Sequence, residues 1–144
     1  MDIKKQEIYI KENPFDYDAK LLSTSAVEQF CTEKLDLKYS DREKMYVIAV
    51  NAKGDVVGVN LLSVGGINGA LVSIANIFKF CLLCNAAGFF LAHNHPSGNT
   101  EPSLDDIQTT QRVKDAARLM EIKLIDHVIV GANGYTSLKA EEII

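Results

Sequence analysis

Hydrophobic residues crowd into two runs near the middle of the chain, Lys44–Val50 (KMYVIAV) and Val56–Val64 (VVGVNLLSV), divided by the polar stretch Asn51-Ala-Lys-Gly-Asp55. Short runs rich in Val and Ile predict strands, and an Asn/Gly/Asp linker of this length predicts a tight hairpin between them. Upstream, LSTSAVEQFCTEKLDL sets Val27, Phe30, Cys31 and Leu35 at three-to-four-residue spacing behind Ser/Thr caps, the pattern of an amphipathic helix. Downstream, Gly65, Gly66 and Gly69 mark a turn region, and SIANIFKFCLLCNAAG predicts a mostly apolar helix with Gly88 as its stop.

FFLAHNH then predicts a buried strand. A further helix starts at Ser103 as N-cap and runs to about Met120, with Ile107, Val113, Ala117 and Met120 on one face. KLIDHVIVGANGYTSL predicts a strand, a Gly-rich turn and a short strand. At the start, IYIKENPFDYD alternates briefly and breaks at Asn13-Pro14, so residues 1–20 are expected to form an arm or a short strand. The order β-α-β-β-α-β-α-β-β predicts an α/β domain on a mixed sheet over residues 21–144.

Composition narrows the class. The chain has 144 residues, 47% hydrophobic and 24% charged, which suits one globular domain with its own core. The greasiest stretch, Phe80 to Ala92, is too short to span a bilayer and is interrupted by Gly88. The opening MDIKKQEIYIKENPF lacks an apolar export signal, so no membrane segment and a cytoplasmic location are expected. Three cysteines, an odd number, fit free thiols in a reducing compartment. Cys81 and Cys84 lie in an apolar helix and, like Cys31, are expected in the core rather than in a redox pair.

The net charge is −4 and the basic residues are scattered. The densest basic run, Arg112 to Arg118, is diluted by Asp115 and reads as a solvated helix face. Nucleic acid is therefore a partner that charge does not support. The three glycines after Val64 are not a phosphate loop, since no Lys-Ser/Thr follows them.

Two of the three histidines stand one residue apart in AHNHPSGNTEPSLDD, Ala92 to Asp106. Alternate residues of a strand share a face, so His93 and His95 project together and Asn94 points away. Pro96, Gly98 and Pro102 let the next segment fold back, so that Asp106 in the first turn of the following helix could face the pair. Two nitrogens and a carboxylate oxygen suit zinc, with a fourth position open for water in the manner of a catalytic site. Zinc lowers the pKa of such a water toward ~7.

The same residues admit a plainer account. Ser103-x-x-Asp106 is close to a capping box, and a His-x-His pair can simply be hydrogen-bonded in a core; cap and ligand roles are compatible. His127, after Asp126, reads as a hydrogen-bonded structural histidine. The contiguous HNH is not the signature of an HNH nuclease. The order of Cys81-Leu-Leu-Cys84 before the histidines, with no glutamate between them, is wrong for a zinc deaminase.

The string LAHNHPSGNTEPSLDD resembles the signature of RadC-like proteins, of the JAB/MPN (JAMM) metalloprotease-like superfamily. LLSVGGINGALV, NAAG, DHVIVG and GYTSL strengthen the resemblance, which covers roughly Leu21 to Leu138. It implies a single-domain JAB/MPN-type (cytidine-deaminase-like) fold, a mixed sheet flanked by helices. It implies His93, His95 and Asp106 as Zn2+ ligands and Ser103 as the hydrogen-bond donor to an oxyanion.

An upstream glutamate that contacts the water is also implied. Glu43, just before the Lys44–Val50 strand, fits that role, with Glu101 in the motif loop as its rival. The activity implied is zinc-dependent hydrolysis of a peptide or isopeptide bond in a protein or peptide substrate. RadC proteins carry a DNA-repair label, and many longer members have a helical region ahead of this domain, which this chain is expected to lack. The alternatives are a DNA-repair-associated binding module and a non-catalytic metal-binding scaffold. Asn94, where many superfamily proteases carry Ser or Thr, matches the RadC branch. An exposed edge strand at Ile8–Ile10 would support a homodimer.

Overall fold

In a computed structural model of the chain, residues 20–65 and 72–144 are described. The expected strand at Ile8–Ile10, and Gly66 and Gly69, lie outside them. The described elements are α1 (Thr24–Glu33), β1 (Lys44–Val50), β2 (Val56–Val64), α2 (Ile74–Leu83), β3 (Gly88–Asn94), α3 (Leu104–Met120), β4 (Lys123–Gly131) and β5 (Gly134–Ser137). The strands form one sheet in the order β2-β1-β3-β4-β5. β3 and β4 are parallel, and every other neighbouring pair is antiparallel.

Local chemistry accounts for the elements. β1 and β2 fall where the apolar runs place them. The Asn51 side chain closes their turn by accepting from Lys53 N–H (2.9 Å) and Asp55 N–H (3.0 Å). Ser23, Ser73 and Ser103 cap the three helices, each hydroxyl accepting a first-turn N–H. β3 and β4 are joined by a crossover through α3, and β2 and β3, which run parallel on either side of β1, by one through α2.

Two expectations are corrected. Gly88 does not stop α2. The helix ends at Leu83, and Asn85 takes the left-handed turn (φ 52°), which asparagine tolerates. Gly88 instead opens β3, where a Cβ would meet Ile125 Cδ1 at 2.9 Å. The buried face of α3 is the expected one only at Val113 and Ala117. It comprises Asp106, Thr110, Val113 and Ala117, while Ile107 is half-buried and Met120 exposed. The apolar pattern misjudged this face because its first two buried positions are polar and bonded to other buried groups.

Two cores sandwich the sheet. Met45, Val47, Phe89 and Leu91 pack against Ile77, Phe78 and Cys81 of α2 and Val113 and Ala117 of α3. Ile48, Val50, Phe90, Ala92, Val128 and Val130 pack against Val27, Phe30 and Cys31 of α1. β3 lies at the centre, and all seven of its residues are buried. Cys31 and Cys81 are buried, as expected, whereas Cys84 is half-buried, and none of the three is in a disulfide. Burial, with Glu28 beside it, pushes the Cys31 thiol up to about 12, and burial, with Cys84 beside it, does the same for Cys81. Among the described residues, no helix is long and apolar enough to cross a membrane.

Candidate metal centre

In α/β sheets, ligands gather beyond the carboxyl ends of parallel strands, where crossover loops leave a crevice. The end of β3 is such a place. Strand alternation sends its odd-numbered residues, Phe89 and Leu91, into the α2/α3 core and its even-numbered residues, Phe90 and Ala92, into the α1 core. His93 follows the first set toward α3. Asn94 follows the second, toward the segment between α1 and β1.

His95 stands just past the strand and is held from several directions. Its N–H donates to Val130 O (3.0 Å), its carbonyl accepts from Gly98 N–H (2.9 Å), and its Nδ1 lies 2.7 Å from Asn99 O. Gly98 turns the loop with φ 85°. The loop rests on the β4–β5 hairpin, with Thr100 Oγ1 2.8 Å from Thr136 Oγ1. A Cβ on Gly131 would meet Gly98 O at 2.9 Å and Thr100 Cγ2 at 3.0 Å, so the hairpin admits no side chain there.

The loop returns the chain to α3, where Ser103 and Asp106 form a complete capping box. Ser103 Oγ accepts from Asp106 N–H (3.0 Å), and Asp106 Oδ2 accepts from Ser103 N–H (2.8 Å). The cap locks the carboxylate in place, and both its oxygens also face the histidines. Oδ1 lies 3.2 Å from His93 Nε2 and Oδ2 lies 3.2 Å from His95 Nε2. The two Nε2 atoms are 3.0 Å apart. Cap and convergence on the histidines therefore coexist in one side chain.

These distances suit a small cation. Zinc bonds of ~2.0–2.1 Å in a tetrahedron put neighbouring ligand atoms about 3.3 Å apart. Glu43, His93, His95 and Asp106 form a group that could hold a metal ion. Glu43 stands off slightly, with Oε1 3.9 Å from each Nε2 and its side chain 23% exposed. It arrives through β1: Met45 pairs with His93 in antiparallel register, so two steps back along β1 and two onward from β3 bring Glu43 across from His95. Glu101, its rival, is exposed and is not in the group.

The hydrogen-bond network assigns the tautomers. The Thr110 hydroxyl must donate to the Asp106 carbonyl (2.5 Å), because a carbonyl only accepts. Thr110 Oγ1 therefore accepts from His127 Nδ1–H (2.6 Å). Burial, with His93 nearby, holds the His127 pKa well below the ordinary value, so its Nε2 carries no proton. That nitrogen accepts from His93 Nδ1–H at 2.6 Å, and His93 Nε2 is left with its lone pair facing His95 and Asp106. His95 Nδ1–H donates to Asn99 O, so its Nε2 also faces inward. Two lone pairs 3.0 Å apart beside a carboxylate repel one another unless a proton or a metal cation sits among them.

The metal-free electrostatics agree. The hydrogen bond to Asp106 raises the His95 pKa. Burial pushes the Asp106 carboxyl up, but the bonds to His93 and His95 outweigh it, and the net is well below the usual carboxylate range. A cavity of about 350 Å³ opens over the group, lined by Glu43, His95, Pro96, Ser97, Ser103, Asp105 and Asp106.

All five residues singled out in the sequence, His93, His95, Asp106, Ser103 and Glu43, meet at this place. Sequence reasoning missed the supporting parts played by Thr110 and Asn94, and treated His127 as structural without linking it to His93. Thr110 had one available signal, a polar residue one helical turn after Asp106. His127 had none, because it meets His93 only through the β3–β4 pairing.

The family model for the RadC-like JAB domain matches residues 21–143. A UPF0758 protein of Carboxydothermus hydrogenoformans is 42% identical over 105 residues, covering 73% of this chain and 46% of its own. One from Thermotoga maritima is 38% identical over 122 residues, covering 85% of this chain and 54% of its own. The chain thus spans about half the length of these curated relatives.

Proposed function

This chain belongs to the RadC-like JAB domain family, and on that premise we propose that it is a zinc-dependent hydrolase acting on peptide or isopeptide bonds. The observation that carries the proposal is the pair of inward-facing Nε2 atoms 3.0 Å apart, each 3.2 Å from an Asp106 oxygen, beneath an open cavity. His93, His95 and Asp106 would hold the ion, leaving one side for substrate and water.

The ion when bound would acidify a water and polarise a carbonyl. The chain's residues do the rest. Glu43, close to both histidine Nε2 atoms but beyond ligand-edge distance, takes a proton from the attacking water and returns it to the leaving amine. Ser103 Oγ accepts from Asp106 N–H, which leaves its own hydrogen to donate to the developing oxyanion. A donor of this kind contributes about 3 kcal/mol to the transition state.

The lining supports an amide substrate over a phosphodiester. Among the described residues it holds three carboxylates, Glu43, Asp105 and Asp106, and no lysine or arginine to meet a phosphate. The substrate is accordingly proposed to be a protein or peptide. Three cysteines outside any disulfide suit a reducing, cytoplasmic setting.

Elemental analysis of protein purified without chelator tests the metal, with about one zinc per chain expected in the wild type and none in His95→Ala. Hydrolysis of a fluorogenic peptide and isopeptide set tests the chemistry. Glu43→Gln is expected to keep zinc and lose turnover. Absence of zinc from the wild type would overturn the proposal. Zinc without hydrolysis would leave a metal-binding scaffold in its place.

A further inference from the structure

We propose that Asn94 is the positioning residue for Glu43, so that one strand end both presents metal ligands on one face and aims the base from the other. This rests on the role given to Glu43 above.

Asn94 is fully buried. Its Oδ1 accepts from Lys44 N–H (2.8 Å), and its Nδ2 donates to Arg42 O (2.9 Å) and Ser40 O (3.3 Å). The Arg42 carbonyl and the Lys44 N–H belong to the two peptide groups on either side of Glu43. One carboxamide therefore grips both flanks of this residue, and the Glu43 carbonyl is held separately by Gly65 N–H (2.8 Å). With both neighbouring peptide planes fixed, the φ and ψ of Glu43 are fixed as well, and so is the direction in which its side chain leaves the backbone.

The contacts in this chain match asparagine. The grip uses one acceptor and two donors from a single short side chain. Aspartate offers no donor to the two carbonyls. Serine and threonine lack the reach and the second donor hydrogen. Leucine would fill the volume but take from three part-buried backbone groups the partner that Asn94 gives them. The position also follows from the strand. His93 and His95 cannot turn toward the α1 side without leaving the cation site, and Asn94 between them cannot reach that site. Any shift of β3 that moved the histidines would move the clamp, and Glu43 with it.

Cobalt(II) is the probe, since its visible absorption bands respond to what surrounds its coordination sphere, and the readout needs no substrate. In the 144-residue chain, Glu43→Ala is expected to shift those bands. Asn94→Ala and Asn94→Asp are expected to shift them the same way, while cobalt still binds because the ligands are untouched and the loss falls short of the roughly 10–100-fold typical of removing a ligand's own partner. The Glu43→Ala/Asn94→Ala double variant is expected to match Glu43→Ala alone, as coupled residues do. Asn94→Asp retains the Lys44 contact and provides the comparison if the alanine variant does not fold.

A folded Asn94 variant with the wild-type spectrum, alongside a shifted Glu43→Ala spectrum, would overturn the proposal while leaving the role of Glu43 intact. Loss of cobalt binding in both folded Asn94 variants would also overturn it, by showing that Asn94 acts on the ligands. An unshifted Glu43→Ala spectrum would remove Glu43 from the centre and overturn both this inference and the base assignment beneath it.

Discussion

His127 Nε2 sits 2.6 Å behind His93 Nδ1, and the rings lie 4.7 Å apart in the buried centre of the domain. With Thr110 beyond it, this contact decides which nitrogen of His93 can bind a cation. Thr110→Val keeps the shape but removes the acceptor for His127 Nδ1–H. His127 is then free to place its proton on Nε2, which forces the His93 proton onto the coordinating nitrogen. Zinc affinity is expected to fall about 10–100-fold, the usual result of removing a partner behind a ligand. Competition with a chromophoric chelator measures it, and an unchanged Kd would show that His93 needs no such help.

Zinc is expected to stabilise the fold as well as the site. A ligand at a thousandfold its Kd adds about 4 kcal/mol by mass action. Thermal unfolding of the wild type with and without zinc should therefore show a raised midpoint. His95→Ala and Asp106→Asn should show little or none.

Protons and zinc compete for the same nitrogen. The hydrogen bond to Asp106 raises the His95 pKa above 6.5, so the metal-free protein holds a proton at Nε2 up to a higher pH than a free histidine would. Apparent zinc affinity should fall as pH drops through that raised value, with proton release on binding measurable by calorimetry in buffers of different ionisation enthalpy.

The folding linkage of the metal-free protein has two limbs. The His95 contribution to stability is complete below the unfolded-state pKa and is lost as pH rises through the higher folded value. The Asp106 contribution, with its folded pKa depressed, is present above the unfolded carboxylate value and lost as pH falls toward the folded one. Unfolding with chelator present, followed against pH, should show both.

Ser103 serves as helix cap and, in the proposed reaction, as donor, and two substitutions separate these duties. Ser103→Ala should cost ~1 kcal/mol of stability through the lost cap. It should also cost about 10²–10³-fold in turnover through the lost donor. Ser103→Asp keeps an acceptor for Asp106 N–H but brings no donor hydrogen. It should recover stability without recovering turnover.

Gly131 tests the seating of the motif loop. An alanine there must displace the Gly98 carbonyl or Thr100, at about 1–3 kcal/mol. Because His95 is fixed by this same loop, Gly131→Ala should lower zinc affinity together with the unfolding midpoint. Full retention of both would mean that the loop yields freely.

Much of this was legible in order along the chain. The apolar runs marked β1 and β2 to their ends, Ser103 marked the start of α3, and the spacing of His93, His95, Ser103 and Asp106 marked the centre. These features depend on neighbours within a few residues, through strand alternation and the first turn of a helix. The end of α2 was misjudged because Asn85 can take a glycine's conformation. The first half of the buried stripe of α3 was misjudged because Asp106 and Thr110 offset the cost of burial with hydrogen bonds that hydropathy does not register, whereas Val113 and Ala117 fall where expected.

The amino-acid order by itself determined that two imidazoles and a carboxylate could share one side of a strand–loop–helix unit. Tertiary structure alone decided that Glu43 would face them, that His127 would set the tautomer of His93, and that Asn94 would grip both sides of Glu43. Each of those pairings crosses between strands or from strand to loop over 34 to 52 positions. Between strands so far apart in sequence no turn sets the register, and it is fixed only when their alternating apolar faces pack into the two cores.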